Sequence, residues 1–272
     1  MMYSERLRKL FGELTLHGED LLLLESFQIK YLPDRLPQLE FATILRKYPV
    51  IRQFLISKYP PIEGFIAHVI KENKEITDPE LVNQYCDELL WEIADLIVYN
   101  KYPELYDRKL DFRWDINEII SVKNLKNQIV LDVGSGSGKL AFLLANYAKI
   151  VYAVEPLGSF RDLIRKKICD EKVLNVFVLD GFLDSLPFPG NSIDILFTSN
   201  AIGWSFENEL LEIERVLKPN GQAIHLMRGI GNDDENPFHE KLSSPEWNYD
   251  CTKYPDTIGL KFKYVKTLNG SE

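Results

Sequence analysis

The chain has 272 residues, of which 45% are hydrophobic and 12% aromatic, enough for packed cores in one large or two smaller domains. Its 41 acidic residues outnumber its 32 basic residues, and the formal net charge of -9 argues against a nucleic acid as partner. The three cysteines, Cys86, Cys169 and Cys251, stand far apart, which argues against a zinc site or a disulfide framework. No segment offers about 18 uncharged apolar residues, so we expect a soluble, cytoplasmic protein with no membrane partner.

The first part of the chain has the periodicity of helices. Apolar residues recur three and four positions apart from Leu7 to Leu14, and residues 78–99 repeat that pattern after an Asp-Pro helix start. Prolines between these segments separate short helices. We therefore predict an all-helical N-terminal region over residues 1–115. We expect it to cap the substrate side of a second domain, residues 116–272.

From Gln128 onward, short runs rich in valine and isoleucine alternate with amphipathic stretches. This alternation predicts an α/β domain with parallel strands joined by right-handed crossovers. Ligands of such sheets bind beyond the carboxyl ends of the strands. The predicted strands are 129–133, 150–155, 176–181, 193–199 and 222–227, the predicted helices are 139–147, 160–170 and 207–217, and a C-terminal hairpin is expected near 247–251 and 260–267.

The stretch IVLDVGSGSGKLAFLLA, residues 129–145, places a glycine-rich turn between the first strand and the first helix of this sheet. Glycine lets the backbone bend sharply and lets a ligand approach without meeting a Cβ atom. The free N–H groups of the following helix favour anionic or electron-rich ligand atoms. A dinucleotide-binding G-x-G-x-x-G turn needs its third glycine where the chain has Lys139, so a nicotinamide dehydrogenase is a distant alternative. Read from Asp132, the turn is D-x-G-x-G-x-G.

Over residues 128–227 the chain resembles the class I S-adenosylmethionine-dependent methyltransferases of the methyltransferase-11 type. The resemblance rests on the D-x-G-x-G-x-G turn, on the acid that ends IVYAVE, on LPFPGNSIDILF and on ELLEIERVLKPNG. It implies a Rossmann-like doubly wound, mostly parallel seven-stranded sheet after the helical N-terminal region. It also implies S-adenosylmethionine as cofactor, S-adenosylhomocysteine as product and no metal.

The resemblance further implies which residues hold the cofactor. Glu155 would accept from both ribose hydroxyls, because a carboxylate offers two acceptor oxygens. Many members have an acid where this chain has Phe182, so adenine recognition would fall to the backbone of Phe182 and Leu183, with the Phe182 ring packing on the base. Asp184 could reach the exocyclic amine, and core packing is the alternative for Phe182. Asp132 would contact the cofactor or only brace the turn. The predicted cofactor set is Asp132, Gly134, Ser135, Gly136, Gly138, Glu155, Pro156, Gly181, Phe182, Leu183 and Asn200.

On the substrate side, the loop SNAIGW should lie beside the transferred methyl group, with Asn200 at the amino-acid end of the cofactor and Trp204 as a pocket wall. The segment LYDRKLDFRWDINEII suits a flap in which Arg113 pairs with the methionine carboxylate, and Tyr106 and Trp114 are weaker candidates for the same flap. The alternatives are core packing for Trp204 and a surface ion pair for Arg113. The acidic run 233–235 is interpreted as a solvated loop and not as a metal site.

We expect an enzyme that transfers a methyl group in line to a small-molecule acceptor, since an activated methyl group needs mainly positioning. No catalytic residue is assigned. Two alternatives stay open: a protein methyltransferase that docks its substrate on the helical region, and a non-catalytic protein that binds the cofactor or a partner.

Overall fold

The computed structural model describes residues 3–120, 124–229, 236–257 and 259–269. It divides the chain into two compact units, Met1–Leu110 and Asp111–Glu272. Residues 111–115, which the sequence assigns to the helical region, cluster with the second unit because Trp114 is buried in the core of that unit. No helix in these described stretches is long and apolar enough to cross a membrane.

The first unit is helical, as its apolar spacing predicts. The carboxylate of Asp78 accepts a hydrogen bond of 2.9 Å from the N–H of Glu80 and caps the helix that begins at Pro79. The α-helices are α1 (Tyr3–Phe11), α2 (Ser26–Ile29), α3 (Leu32–Arg35), α4 (Gln38–Lys47), α5 (Pro49–Lys58), α6 (Glu63–Glu72), α7 (Pro79–Glu92), α8 (Ala94–Lys101) and α9 (Pro103–Lys109), with 3₁₀ helices at Gly18–Leu23 and Pro60–Ile62.

The apolar faces of these helices pack together in the core of the first unit. Phe41 and Ile44 of α4 and Leu89 of α7 are fully buried in it. A smaller cluster joins Phe11 of α1 to Trp91 of α7. Burial of one face of each helix is what stabilises short helices that would be marginal alone.

The second unit alternates strands and helices, as the sequence predicts. Its strands are β1 (Ile129–Val133), β2 (Ile150–Val154), β3 (Val176–Leu179), β4 (Ile193–Ser199), β5 (Leu217–Arg228), β6 (Asp250–Pro255) and β7 (Leu260–Thr267). Its helices are α10 (Ile116–Ile120), α11 (Lys139–Ala145), α12 (Gly158–Glu171), α13 (Phe206–Val216) and α14 (His239–Leu242).

All seven strands form one sheet in the order β3-β2-β1-β4-β5-β7-β6. Strands β1 to β5 are parallel, and β7 is antiparallel to both β5 and β6. This confirms the prediction of a doubly wound, mostly parallel seven-stranded sheet after a helical region. Because parallel strands end on the same side, Gly134, Glu155, Asp180, Asn200 and Gly229 follow their strands at one edge of the sheet.

The sequence misplaced one strand of the C-terminal hairpin. The expected strand near 247–251 is wrong, because β6 spans Asp250–Pro255. Trp247 and Tyr249 are 7% and 4% exposed and lie in the core before the strand begins. Closely spaced aromatic residues predict burial, and burial alone does not distinguish a strand from an irregular segment.

The two faces of the sheet form separate cores, because successive residues of a strand point to opposite sides. Val130 and Phe197 lie in the core that contains residues of α11 and α12, whereas Leu131 and Leu196 lie in the core that contains residues of α13. Burial on both faces explains why the parallel strands are mostly apolar and do not alternate between apolar and polar residues.

Candidate functional site

The glycine turn joins β1 to α11 at the carboxyl edge of the sheet and is bound to the end of β2. The N–H groups of Gly134 and Ser135 both donate to the carbonyl oxygen of Val154, at 2.9 and 3.2 Å. The Ser135 hydroxyl donates to the carbonyl of Asp132 at 2.7 Å, and the N–H of Gly138 donates to the carbonyl of Ser135 at 2.8 Å. These bonds hold the turn in one conformation.

The three glycines of the turn are needed for different reasons. Gly134, Gly136 and Gly138 have φ angles of 69°, 53° and 86°, in the left-handed region. A Cβ atom at Gly134 would lie 2.3 Å from the Cβ of Ala201, and one at Gly138 would lie 3.0 Å from a side-chain carbon of Ile164. A Cβ atom at Gly136 would have no atom of the described chain within 4 Å. Packing thus explains two glycines, whereas the backbone at Gly136 faces open space.

Glu155 follows β2, and its carboxylate is bound to the backbone of this turn. Its Oε2 accepts from the N–H of Gly136 at 2.7 Å, and its Oε1 accepts from the N–H of Leu157 at 2.9 Å. The residue is 4% exposed. Burial raises the pKa of Glu155 to about 7, although both N–H donors and the charge of Arg161 act in the opposite direction. Each carboxylate oxygen can accept a further hydrogen bond, so the group can bind ligand hydroxyls beside Gly136.

Asp132 is a second buried acid at the same turn. It is 1% exposed, and neither carboxylate oxygen has a hydrogen-bond partner among the residues that the structure describes. Burial raises the pKa of Asp132 to about 7 and the charge of Glu155 adds to the rise, whereas the nearby Ser135 hydroxyl and Ala141 N–H act in the opposite direction. A buried carboxylate whose oxygens lack a well-formed hydrogen bond is destabilising, so a donor supplied by a ligand or a water would stabilise this position.

Arg161 of α12 joins the ends of β2 and β3, a contact that sequence reasoning missed. Its Nη1 donates to the carbonyls of Glu155 at 2.8 Å and Pro156 at 2.6 Å, and it lies 3.0 Å from Oδ1 of Asp180. Arg161 therefore holds the backbone that orients Glu155 and Pro156. No linear motif marks it, because its acceptors come from two separate loops.

The residues predicted to meet adenine lie in the loop after β3. A Cβ atom at Gly181 would lie 2.9 Å from a side-chain carbon of Val154, so close packing explains this glycine. Leu183 is 7% exposed and lies in the core. Phe182 is half-buried, and its carbonyl accepts from the N–H of Ser185 at 3.1 Å. The loop thus leaves Phe182 partly exposed.

Asn200 follows β4 and connects it to β5. Its φ angle is 52°, a conformation that asparagine tolerates better than most residues. Its Oδ1 accepts from the N–H of Arg228 at 3.0 Å, and its own N–H donates to the carbonyl of Leu226 at 3.0 Å. The next residue, Ala201, is the one whose Cβ approaches Gly134. The loop after β4 therefore lies directly against the glycine turn.

Arg113 lies near the carboxyl end of β5, where two arginines surround Asp256. The Asp256 carboxylate lies 3.3 Å from Nη1 of Arg113 and 3.2 Å from Nη2 of Arg228. Burial alone would raise the pKa of Asp256, but the N–H of Thr257 and the two guanidinium groups together lower it. Arg113 also contacts Asp111 and Thr257. An ion pair of Arg113 is thus present, and its pairing with the cofactor stays a prediction.

The three aromatic candidates for the substrate side have different surroundings. Trp204 is 59% exposed on the loop after β4, which removes core packing as its explanation. Trp114 is 6% exposed and packs edge-to-face on Tyr254 with ring centroids 5.8 Å apart. Tyr106 belongs to the first unit, where it packs on Tyr99. The flap roles of Trp114 and Tyr106 remain predictions.

His225 of β5 is a buried side chain that contacts the neighbouring strand β4. It is fully buried, and its Nδ1 lies 2.8 Å from Oγ1 of Thr198 on β4. Burial lowers the pKa of His225 to about 3, so the ring is neutral. Within the described ranges no group of three or more His, Cys, Asp or Glu side chains could hold a metal ion, and the acidic run 233–235 lies outside them.

Comparison with known proteins identifies the domain. Residues 131–225 match the family model of the methyltransferase domain. A tRNA U34 carboxymethyltransferase of Ruthia magnifica is 34% identical over 48% of this chain and 44% of its own length. An uncharacterized methyltransferase of Mycobacterium bovis is 31% identical over 43% of this chain and 52% of its own length. A ubiquinone/menaquinone biosynthesis C-methyltransferase of Blochmanniella pennsylvanica is 28% identical over 60% of this chain and 68% of its own length. The chain thus spans about half the length, 44% and 52%, of the first two relatives.

A solved structure has the same fold. The crystal structure of a SAM-dependent methyltransferase from Aquifex aeolicus covers 61% of this chain and 98% of its own, with a TM-score of 0.51 and 20% identity. The strand order, the D-x-G-x-G-x-G turn after β1 and the matched family model agree with one another. The second unit therefore contains a class I S-adenosylmethionine-dependent methyltransferase domain.

Proposed function

We propose that this chain is an enzyme that transfers a methyl group from S-adenosylmethionine to a small-molecule acceptor. The observation that carries the proposal is the pairing of Gly136 with Glu155. Gly136 has a left-handed backbone with open space in its side-chain direction, and its N–H lies 2.7 Å from the buried Glu155 carboxylate. A ribose approaching Gly136 would meet no Cβ atom and would find acceptor oxygens for its hydroxyls.

The other predicted residues would hold the remaining parts of the cofactor. The backbone of Phe182 and Leu183 would meet the adenine, and the half-buried Phe182 ring would pack on it. Asn200 precedes Ala201, whose Cβ lies against the glycine turn, and it would contact the amino-acid end of the cofactor. The two unpartnered oxygens of Asp132 fit a site in which ligand binding supplies a donor to the turn.

When bound, S-adenosylmethionine supplies a methyl group that its sulfonium has already activated. The chain's contribution is to hold the acceptor in line at about 3 Å and to exclude water, which supplies much of the rate. We assign no catalytic base and no metal. The first unit would form the substrate-side cap, a role inferred from the sequence, and the protein would act in the cytoplasm.

We assign a small molecule as the acceptor because of the protein's negative net charge. The net charge of -9 repels a phosphate backbone. One relative is named a tRNA carboxymethyltransferase and another a C-methyltransferase of quinone biosynthesis, so domain similarity alone does not choose between nucleic acid and small molecule. A protein methyltransferase and a non-catalytic cofactor-binding protein are the competing functions.

Two measurements test the proposal. Calorimetric titration with S-adenosylmethionine, S-adenosylhomocysteine and NAD should give binding of the first two and no signal with NAD. A screen with methyl-labelled cofactor against phenols, amines, carboxylic acids and thiols, run beside transfer RNA and protein mixtures, should label a small molecule. A folded protein that binds neither sulfur compound would overturn the proposed function, and label found only in RNA or protein would overturn the assigned acceptor.

A further inference from the structure

A buried carboxylate outside the cofactor set holds the loop after β4. Glu209 of α13 is 3% exposed and accepts hydrogen bonds from three consecutive N–H groups, those of Gly203 at 2.6 Å, Trp204 at 2.9 Å and Ser205 at 3.0 Å. Hydrogen bonds to a carboxylate are stronger than those between neutral groups. Three of them on successive residues hold the backbone of residues 203–205 in one conformation.

The loop also has contacts that do not involve Glu209. A Cβ atom at Gly203, whose φ angle is 119°, would lie 2.3 Å from the ring of Phe238. Phe238 in turn stacks on Phe206 with ring centroids 5.5 Å apart. At the start of the loop, Asn200 is bound to β5 and Ala201 lies against the glycine turn. Removing the Glu209 carboxylate would therefore loosen residues 203–205 and leave Asn200 in place.

The loop presents an exposed indole on a restrained backbone. Trp204 is 59% exposed, whereas the other three tryptophans, Trp91, Trp114 and Trp247, are 5%, 6% and 7% exposed. A large aromatic side chain on a fixed backbone loses little conformational entropy when a ligand packs on it. An exposed indole adds little to the core, so the restraint of its backbone points to binding.

We propose that Glu209 is a positioning residue for the methyl acceptor, because it fixes residues 203–205 and so holds the Trp204 indole at the edge of the sheet where the acceptor binds. This inference rests on the proposed methyltransferase function. It assigns the acceptor to molecules with a planar or apolar group that packs on the indole face. Trp204 touches the acceptor, and Glu209 acts through Trp204.

Three variants test this role. Glu209→Ala removes all three acceptor bonds. Glu209→Gln keeps the shape and one accepting oxygen, and it keeps the proposal testable where the alanine variant does not fold. Glu207→Gln is the control, because Glu207 lies on the same helix with its side chain 67% exposed and its carboxylate 3.5 Å from Lys241.

The first readout is the fluorescence anisotropy of Trp204, taken as the difference from a Trp204→Phe protein, with acrylamide quenching beside it. Neither the anisotropy nor the quenching measurement needs a ligand, and both report on the exposed Trp204. We expect the anisotropy to fall in Glu209→Ala, to fall less in Glu209→Gln and to stay unchanged in Glu207→Gln. Hydrogen exchange of the peptide spanning residues 200–206 should increase in the same order.

The second readout separates acceptor from cofactor. We expect Glu209→Ala to change the calorimetric Kd for S-adenosylhomocysteine by less than about twofold and to raise the KM for the acceptor found in the labelled-methyl screen by about fivefold or more. Unchanged Trp204 anisotropy in a folded variant overturns the inference. So does a loss of S-adenosylhomocysteine affinity that matches the rise in KM. If the unaltered protein binds no S-adenosylhomocysteine, the proposed function fails instead, and the anisotropy still decides whether Glu209 holds Trp204.

Discussion

The Glu155 carboxylate accepts a hydrogen bond of 2.7 Å from the N–H of Gly136, so the acid that follows β2 and the middle glycine of the turn are structurally coupled. The bond holds Gly136 in a left-handed conformation that glycine adopts without strain. Arg161 fixes the same acid from the other side by binding the Glu155 carbonyl at 2.8 Å. A change at either partner should therefore affect cofactor binding.

Replacing Glu155 by alanine should weaken S-adenosylhomocysteine binding by about 1.5–3 kcal/mol, the usual loss when hydrogen bonds to a charged group are removed. Calorimetric titration measures it. Glu171→Gln serves as the control, because Glu171 is exposed at the end of α12. This variant should bind S-adenosylhomocysteine with the affinity of the unaltered protein. Equal affinity in the alanine variant and the control would place the ribose elsewhere.

Alanine substitutions at two glycines should separate binding from folding. Gly136→Ala should lower the free energy of unfolding by about 1–2 kcal/mol, since only left-handed strain is added and the new Cβ atom meets no neighbour. The same methyl group should abolish S-adenosylhomocysteine binding, because it enters the space that the ligand needs. Urea unfolding and calorimetry measure the two effects.

Gly134→Ala provides the comparison, because its new Cβ atom would lie 2.3 Å from the Cβ of Ala201. Strain and overlap together should lower the free energy of unfolding by more than about 3 kcal/mol. A Gly136→Ala protein that is as unstable as Gly134→Ala, or that still binds the ligand, would contradict the assignment of Gly136 to the cofactor.

The two buried acids of the site should make the stability of the ligand-free protein depend on pH. Burial raises the pKa values of Asp132 and Glu155 to about 7. Carboxyl groups of an unfolded chain titrate near about pH 4, so between these values the native state holds more protons than the unfolded state. The stability that the protonated acids contribute is therefore complete below about pH 4 and is lost as the pH rises through about 7.

Asp132→Asn isolates the contribution of Asp132. Relative to this variant, the unaltered protein should lose on the order of 2 kcal/mol in its free energy of unfolding between about pH 5 and about pH 8. Urea unfolding at both pH values gives the difference. Asp162→Asn is the control, since the Asp162 side chain is 79% exposed on α12. If the free energies of unfolding of the unaltered protein and of Asp132→Asn differ by the same amount at both pH values, Asp132 is already ionised in the native state.

The parallel sheet could be predicted from sequence because β1, β2 and β4 are short segments rich in valine, isoleucine and leucine and the glycine turn marks where β1 ends. The positions of Arg161 and Glu209 could not. Both side chains bind backbone N–H or C=O groups, which every residue carries, so their partners leave no pattern in the sequence. The same limit applies to Asp256, whose arginine partners come from segments far apart along the chain.

Asp256→Ala should show how the carboxyl end of β5 is held together. The Arg113 and Arg228 side chains are 25% and 32% exposed and both lie within 3.3 Å of the Asp256 carboxylate. Without Asp256, Arg228 would lose this acceptor and Arg113 would keep its contacts with Asp111 and Thr257, so the free energy of unfolding should fall by about 1–3 kcal/mol at neutral pH. Urea unfolding measures this, with Asp250→Ala on the exposed part of β6 as the control.

The pH dependence of this variant distinguishes an ion pair from simple packing. The pKa of Asp256 is lowered, so the stability that its ionised form contributes is present above about pH 4, where the unfolded group titrates, and is lost as the pH falls through the native pKa. The difference between Asp256→Ala and the unaltered protein should therefore narrow as the pH falls from about 6 towards about 3. A stability difference that stays constant with pH would mean that Asp256 stabilises this edge through its shape and not through its charge.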